Sequence, residues 1–276
     1  MSDQSAITFS KLEALGNDFM LVDRRERHSE WPTDRIRALG HRTTGVGFDQ
    51  LLLLDTAAEQ ADECEARLSI FNQDGSPAEQ CGNGLRAIAL WLDRRNTLGS
   101  GVWLHTPAGL SRVSRIDQEQ FAATLPGLSI DSARTLPQLP TGSLSADLIE
   151  LGNLHLVIHW PTPPSARALS EVAQFIEAQD GWQQRCNIGL AHRPSMLNTT
   201  APDCMDLRVY ERGAGATHAC GSGACAAAVS MKLTHHTEAD ITVRQPGGSV
   251  VVHWQRKQDF VTLTGPARFI FEGQLA

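Results

Sequence analysis

Aliphatic residues in this chain come in short runs bounded by polar, glycine or proline positions, which is the pattern of a strand-rich protein. The runs Asp18–Asp23, Asp49–Asp55, Ala66–Asn72, Ser100–His105, Asp147–Trp160 and Asp206–Arg212 predict strands, and Ile241–Trp254 predicts a pair. Pro246, Gly247 and Gly248 interrupt that pair as a hairpin turn does. Helical spacing is rarer. Thr33 is placed to cap a helix through Ile36 and Leu39 to Gly40, and Ser170 to cap one carrying Val172, Phe175 and Ile176. Two more helices are predicted to begin directly after Cys81 and Cys220, where glycines lead into long apolar stretches.

Those last two helices belong to a larger repeat. CGNGLRAIALWL at Cys81 and CGSGACAAAVSM at Cys220 share C-G-x-G-x-x-A and then run apolar. Gly16-Asn17 begins 65 residues before Cys81, and Gly152-Asn153 begins 68 before Cys220. Gln50 follows Gly16 by 34 residues and Asn187 follows Gly152 by 35, while Asn72 and Glu211 each stand nine before their cysteine. Landmarks in one order at nearly one spacing predict an internal duplication, hence two similar α+β halves related by a pseudo-twofold axis.

Composition narrows the partners. With 276 residues, 41% hydrophobic and 20% charged, the chain reads as a soluble globular protein of one large or two ordinary domains. Its 24 basic and 31 acidic residues leave a formal charge of −7 with no long basic run, which argues against nucleic acid and anionic membrane and for a small-molecule partner. No apolar stretch approaches the roughly 20 residues of a membrane helix, and MSDQSAITFSK lacks the layout of a secretory signal, so the expected address is the cytoplasm. Six cysteines are too sparse for a disulfide scaffold and are expected to be thiols.

A cysteine just before a helix has a particular electrostatic setting. The first N–H groups lack intrahelical partners and the positive end of the helix dipole faces the sulfur, so the pKa of Cys81 and of Cys220 is expected to fall. Glycines at 82, 84, 221 and 223 leave room for a ligand carboxylate at those N–H groups. If the halves face each other, one thiol meets each face of a carbon, a geometry for stereoinversion at an amino-acid α-carbon by two-base proton transfer. No Schiff-base lysine motif or P-loop stands out, so no cofactor is expected. The developing carbanion must then be stabilised by N–H donors, each worth about 3–4 kcal/mol by analogy with oxyanion holes.

Blander readings exist. Cys64, Cys186, Cys204 and Cys225 read as small buried hydrophobes. His218, Cys220 and Cys225 lack a usual zinc spacing, so no metal is expected. A Cys81–Cys220 disulfide is readable only as an air-oxidation product.

These residues resemble the diaminopimelate epimerases, cofactor-independent two-cysteine enzymes. The resemblance spans nearly the whole chain: Leu15–Phe19 (LGNDF), Gly45–Gln50 (GVGFDQ), Phe71–Ser76 (FNQDGS), Gln80–Arg86 (QCGNGLR), Gly152–His155 (GNLH), Asn187–Gly189 (NIG), Val209–Gly215 (VYERGAG), Ala219–Ala227 (ACGSGACAA) and Pro246–Gly248 (PGG). It implies an α+β fold of two pseudo-symmetric halves, each a β-barrel-like sheet around a central helix, with the last strand returning to the first half. The implied halves are residues 1–124 plus 266–276, carrying Cys81, and 125–265, carrying Cys220. It implies interconversion of LL- and meso-diaminopimelate for lysine and peptidoglycan synthesis, often by a homodimer.

By the same resemblance Cys81 and Cys220 are the base and acid, exchanging roles with direction. Asn17, Gln50, Asn72, Asn153, Asn187, Glu211 and Arg212 line the substrate site, with His155 in support. The N–H groups of Gly82, Asn83, Gly221 and Ser222 hold the carboxylate at the reacting centre. Asparagines donate and accept, the Arg212 fork suits a carboxylate and Glu211 an ammonium, as a substrate with a second amino-acid group requires. The sequence departs from the family pattern at Leu154, where proline is usual, at Ala216, where glutamate is usual, and at Ala14, where glycine is usual. A racemase of another amino acid on the same fold, and a non-catalytic amino-acid-binding protein, are the alternatives.

Overall fold

The computed structural model describes residues 6–26, 29–57, 64–130, 135–194 and 203–275; residues 1–5 of the stretch read above for a leader lie outside them. The chain divides into two compact units, Met1–Ala123 with Pro266–Ala276, and Thr124–Gly265.

In the first unit, β1 (Ile7–Ala14) and β2 (Asn17–Asp23) form an antiparallel hairpin. Leu15 and Gly16 close it at φ 57° and 84°, the double positive φ that matches the twist of the flanking strands. Helix α1 (Thr33–Gly40) leads to β3 (Gln50–Thr56), parallel to β2, and then to β4 (Ala66–Asn72) and the short β5 (Pro77–Ala78), both antiparallel additions. Helix α2 (Gly82–Arg94) follows Cys81. Next come β6 (Val102–Thr106), parallel to β4, then β7 (Gly109–Arg115) and β8 (Gln120–Pro126) in antiparallel succession.

The second unit repeats this order. After β9 (Leu128–Ile130), β10 (Ala146–Leu151) and β11 (Asn153–His159) make a hairpin about Gly152, which sits at φ 71°. Helix α3 (Ala166–Glu177) leads to β12 (Asn187–His192), parallel to β11, then to β13 (Cys204–Glu211) and the short β14 (Gly215–Thr217). Helix α4 (Gly221–His235) follows Cys220, and β15 (Ile241–Gln245) returns parallel to β13, with β16 (Gly248–His253) and β17 (Phe260–Pro266) antiparallel beyond. The final strand, β18 (Arg268–Leu275), pairs with β1 as β9 pairs with β10. The two units thus share one succession of parallel and antiparallel pairings.

Strands covered on both faces explain the unbroken apolar runs. Leu51 and Leu53 pack with Phe9, Met20, Val22, Phe48 and Ile36 of α1. Leu52 points the other way, its Cδ2 3.2 Å from where a Cβ on Gly84 of α2 would stand. In the second unit Leu169, Val172, Ala173 and Ile176 of α3 meet Leu156, Ile158, Ile188 and Leu190. Full burial of each such side chain contributes about 1.5–3 kcal/mol. The helices after the cysteines are of another kind: every residue of Gly221–Lys232 is buried. A helix apolar on all sides is enclosed by its sheet, and α2 packs on β1, β2, β7 and β18 while α4 packs on β10–β13, β15 and β16.

Two predicted caps are corrected. Helix α3 begins earlier, with Ser165 accepting from the Ala168 N–H at 3.0 Å, because Leu169 extends the apolar face backwards; Ser170 lies inside and donates to Ala166 O at 3.1 Å. Thr33 is the first helical residue of α1 rather than its cap, since Pro32 holds the N-cap without a side-chain bond. The single run Asp147–Trp160 is two strands, split by Gly152.

Candidate active site

In each unit the landmark side chains stand at strand ends, and the cysteine caps the buried helix. Asn17 opens β2, Gln50 opens β3, Asn72 closes β4 and Cys81 is the N-cap of α2. Cys81 Sγ accepts from the Gly84 N–H at 3.2 Å and lies 3.8 Å from Asn17 Oδ1. Gln50 donates to Asn72 Oδ1 at 3.1 Å, and Asn72 donates onward to Ser76 Oγ at 3.1 Å. Gly82 and Asn83 are buried in the first turn, whose N–H groups have no intrahelical acceptor.

Asp49, which the sequence reading passed over although it lies within GVGFDQ, organises this side. It accepts from Asn17 Nδ2 at 2.9 Å and from the Asp18 N–H at 3.0 Å. Arg42 bridges Asp49 at 2.5 Å and Asp18 at 2.9 Å, and Lys11 meets Asp18 at 2.5 Å. Burial raises the Asp18 pKa, but the hydrogen bonds from Arg42 and Lys11 outweigh it and hold the carboxyl down at about 2.

In the second unit Asn153 opens β11, Asn187 opens β12, Glu211 closes β13 and Cys220 caps α4. Cys220 Sγ accepts from the Gly223 N–H at 3.4 Å and lies 3.7 Å from Ser222 Oγ. Its own N–H donates to Gln245 Oε1 at 2.9 Å, a partner supplied from the turn before Pro246. Glu211 accepts from Thr217 Oγ1 at 2.6 Å, and Asn187 Oδ1 accepts from the Arg212 N–H at 2.9 Å. Gly221, Ser222 and Asn187 are buried, whereas Arg212 is exposed.

One electrostatic expectation is overturned. The Cys220 thiol is pushed well above its ordinary pKa, first by burial and then by the Glu211 carboxylate, against the lowering from the Gly223 N–H and Ser222. Desolvation and a neighbouring anion outweigh a helix N-terminus. His155 is likewise fully buried, its Nε2 without a hydrogen-bond partner, and burial drives its pKa down to about 4.

The departures from the family pattern fit regular strands. Leu154 pairs with Glu150 in the β10–β11 ladder and packs against the α3 cluster. Ala14 pairs with Asn17, and Ala216 is an exposed residue of β14 opposite Tyr210. Cys186 and Cys225 are buried as expected, whereas Cys64 and Cys204 are only half-buried, and no disulfide joins any of the six cysteines. Among the described residues no three His, Cys, Asp or Glu side chains are grouped to hold a metal ion, and no helix is long and apolar enough to cross a membrane.

A hydroxyproline epimerase from Agrobacterium vitis superposes with a TM-score of 0.69 at 14% identity, covering 100% of this chain and 94% of that one. A phenazine biosynthesis protein of the PhzF family from Enterococcus faecalis gives 0.67 at 11% identity, over 99% and 100% of the two chains. Fold and cysteine placement therefore define a protein of the fold shared by these epimerase and PhzF structures, with a cysteine heading each enclosed helix. The family model for diaminopimelate epimerase matches residues 9–124 and 148–270. The chain is 34% identical over 283 residues to a diaminopimelate epimerase from Alkalilimnicola ehrlichii, covering 98% of each. It is 37% identical over 282 residues to one from Chromobacterium violaceum, covering 98% of this chain and 99% of that protein. The chain belongs to the diaminopimelate epimerase family.

Proposed function

We propose that this protein interconverts LL- and meso-diaminopimelate by cofactor-independent proton transfer at the α-carbon, between Cys81 and Cys220. The observation that carries the reading is the paired placement of the two cysteines: each caps the enclosed helix of its own unit and receives an N–H at its sulfur. In the reaction one thiolate removes the α-proton and becomes a thiol. The opposite thiol gives its proton to the other face and becomes a thiolate. No net proton is consumed, and the next turnover runs from the reversed charge state. The N–H groups of Gly82, Asn83, Gly221 and Ser222 receive the α-carboxylate and take up the charge that develops on it.

The distal amino-acid group in this reading is held by Asn17, Gln50, Asn72, Asn153, Asn187, Glu211 and Arg212. Support comes from their positions at or directly after strand ends, with Asn17 Oδ1 3.8 Å from Cys81 Sγ and the Glu211 carboxylate acting on the Cys220 thiol. The burial of Cys220, which raises its thiol pKa, also suits an acid that must arrive protonated. His155 supports β11 beside Asn153. A cytoplasmic homodimer follows from the family resemblance and is tested by sedimentation of the purified chain.

The deciding experiment incubates the protein in D₂O with LL-diaminopimelate and with a panel of simple L-amino acids, following the α-proton by NMR. Deuterium uptake with stereoinversion of diaminopimelate alone is the expected result. Uptake into another amino acid identifies a racemase of that substrate, and no uptake into any of them leaves a binding protein.

A further inference from the structure

The segment that presents Cys220 is fastened at two points to the turn after β15. The Cys220 N–H donates to Gln245 Oε1 at 2.9 Å, and two residues upstream His218 O accepts from the Gly247 N–H at 2.8 Å. Gln245 is the last residue of β15, is buried, and pairs with Gly248 across the turn. Its amide nitrogen is buried without a hydrogen-bond partner among the described residues. A buried donor left unpaired costs stability, and an aliphatic side chain would fill the same space without that cost. The use of this side chain therefore lies in its carbonyl oxygen, at Cys220. The first unit fills the matching station differently. Thr106 ends β6 and stands before a proline as Gln245 does, but it uses its hydroxyl inside its own turn, donating to Gly109 O at 2.8 Å.

We propose that Gln245 is a positioning residue of the second unit: by taking the Cys220 N–H it fixes the main chain at the helix cap, and with it the line along which the thiol passes its proton. The inference rests on the proton-transfer reading of Cys81 and Cys220. Two partners of the sulfur, the Gly223 N–H at 3.4 Å and Ser222 Oγ at 3.7 Å, belong to the first turn of the same helix and move with it. Glu211, on β13, acts on the thiol itself. Gln245 instead ties the cap to the sheet through the backbone, so the thiol keeps its direction while its proton comes and goes. Because the tie belongs to one unit, its loss falls on the steps in which Cys220 gives or takes a proton and leaves Cys81 in place.

Gln245→Met keeps the bulk and removes the acceptor. In ¹⁵N-labelled protein the Cys220 amide proton should then move upfield while that of Cys81 stays. In D₂O, LL- and meso-diaminopimelate are followed separately by NMR for α-deuterium uptake and for inversion. From the isomer whose α-proton Cys81 removes, abstraction continues but delivery from Cys220 falters, so the ratio of uptake to inversion should rise about tenfold; misplacing a reacting group by about an ångström can cost about a hundredfold. From the other isomer, where Cys220 is the base, uptake and inversion should fall together. An unmoved Cys220 amide, or equal proportional losses of uptake and inversion from both isomers, as a merely structural role would give, overturns the proposal. Should Gln245→Met not fold, Gln245→Asn, one methylene shorter, decides by the same readouts. A displaced Cys220 amide in the variant, with no α-exchange in the wild-type protein, counts against the epimerase reading and leaves the tie between Gln245 and Cys220 standing.

Discussion

Asn17 turns its carbonyl oxygen to Cys81, Oδ1 lying 3.8 Å from Sγ, because its amide nitrogen is held by Asp49 Oδ2 at 2.9 Å. A side chain proposed to meet the substrate is thus oriented by Asp49, which was not among the expected site residues. Asp49→Ala frees the amide to rotate and also releases Arg42. A hydrogen bond to a charged group is worth about 1.5–3 kcal/mol, so turnover is expected to fall at least about tenfold. Steady-state kinetics on diaminopimelate check this, and unchanged kinetics would show that Asn17 needs no tether.

The glycines after each cysteine are predicted to differ in tolerance. A Cβ on Gly223 would lie 3.2 Å from Cys220 Sγ and 3.1 Å from Val209 Cγ2; on Gly84 it would lie 3.3 Å from Cys81 Sγ and 3.2 Å from Leu52 Cδ2. Leu52 can swing its terminal methyls, whereas β-branched Val209 is stiff. Gly223→Ala should therefore lose more activity than Gly84→Ala, at an overpacking cost of about 1–3 kcal/mol. Melting curves and α-deuterium exchange on both variants settle the order; the reverse order contradicts the packing argument.

His155 pairs with Asn187 between β11 and β12, the station that Phe19 holds opposite Gln50 between β2 and β3. Its folded pKa of about 4 lies below the ordinary 6.5. Between those values the unfolded chain binds a proton that the native state refuses, so stability is full above about pH 6.5 and falls as the pH drops towards 4. The loss totals about 3 kcal/mol at 1.36 kcal/mol per pH unit. Urea unfolding at several pH values should show this slope, and His155→Phe, which copies the other unit, should flatten it. A slope that survives the substitution must come from other groups.

Cys81→Ser and Cys220→Ser are each expected to cut stereoinversion by several orders of magnitude, because a hydroxyl is far less acidic than a thiol. Oxidation should abolish activity and reductant restore it. Peptide mapping of the oxidised protein should find Cys81 joined to Cys220, as two sulfurs that share one substrate carbon require; joining of other cysteines instead would separate the pair.

Arg212→Lys should weaken turnover of diaminopimelate more than any residual exchange with a simpler amino acid, since the planar fork for a distal carboxylate is lost. Equal losses on both substrates would move Arg212 out of distal recognition.

Much of this was legible from residue order alone. The two helices after Cys81 and Cys220 begin where the glycines said they would, and the polar landmarks lie at matching strand ends. The pattern did not give β1, β5, β7, β8, β9, β12, β14, β17 or β18; partly polar faces such as those of Ile7–Ala14 and Arg268–Leu275 take their strand character from pairing partners distant in sequence. The cap of α3 was misplaced because Ser165 and Ser170 are equivalent candidates locally, and only the packing of Leu169 onto Leu156 and Leu190 distinguishes them.

By itself the sequence determined the duplicated landmarks, the two helix starts after Cys81 and Cys220 and the residue types there, since turns and apolar spacing are local properties of the chain. Tertiary structure decided the chemistry of those residues. Burial and Glu211 raise the Cys220 thiol against its helix dipole, Asp49 sets the face of Asn17, and burial keeps His155 neutral. Desolvation and charge act through space, and neither the depth of a side chain nor its neighbours across the fold is written in its position along the chain.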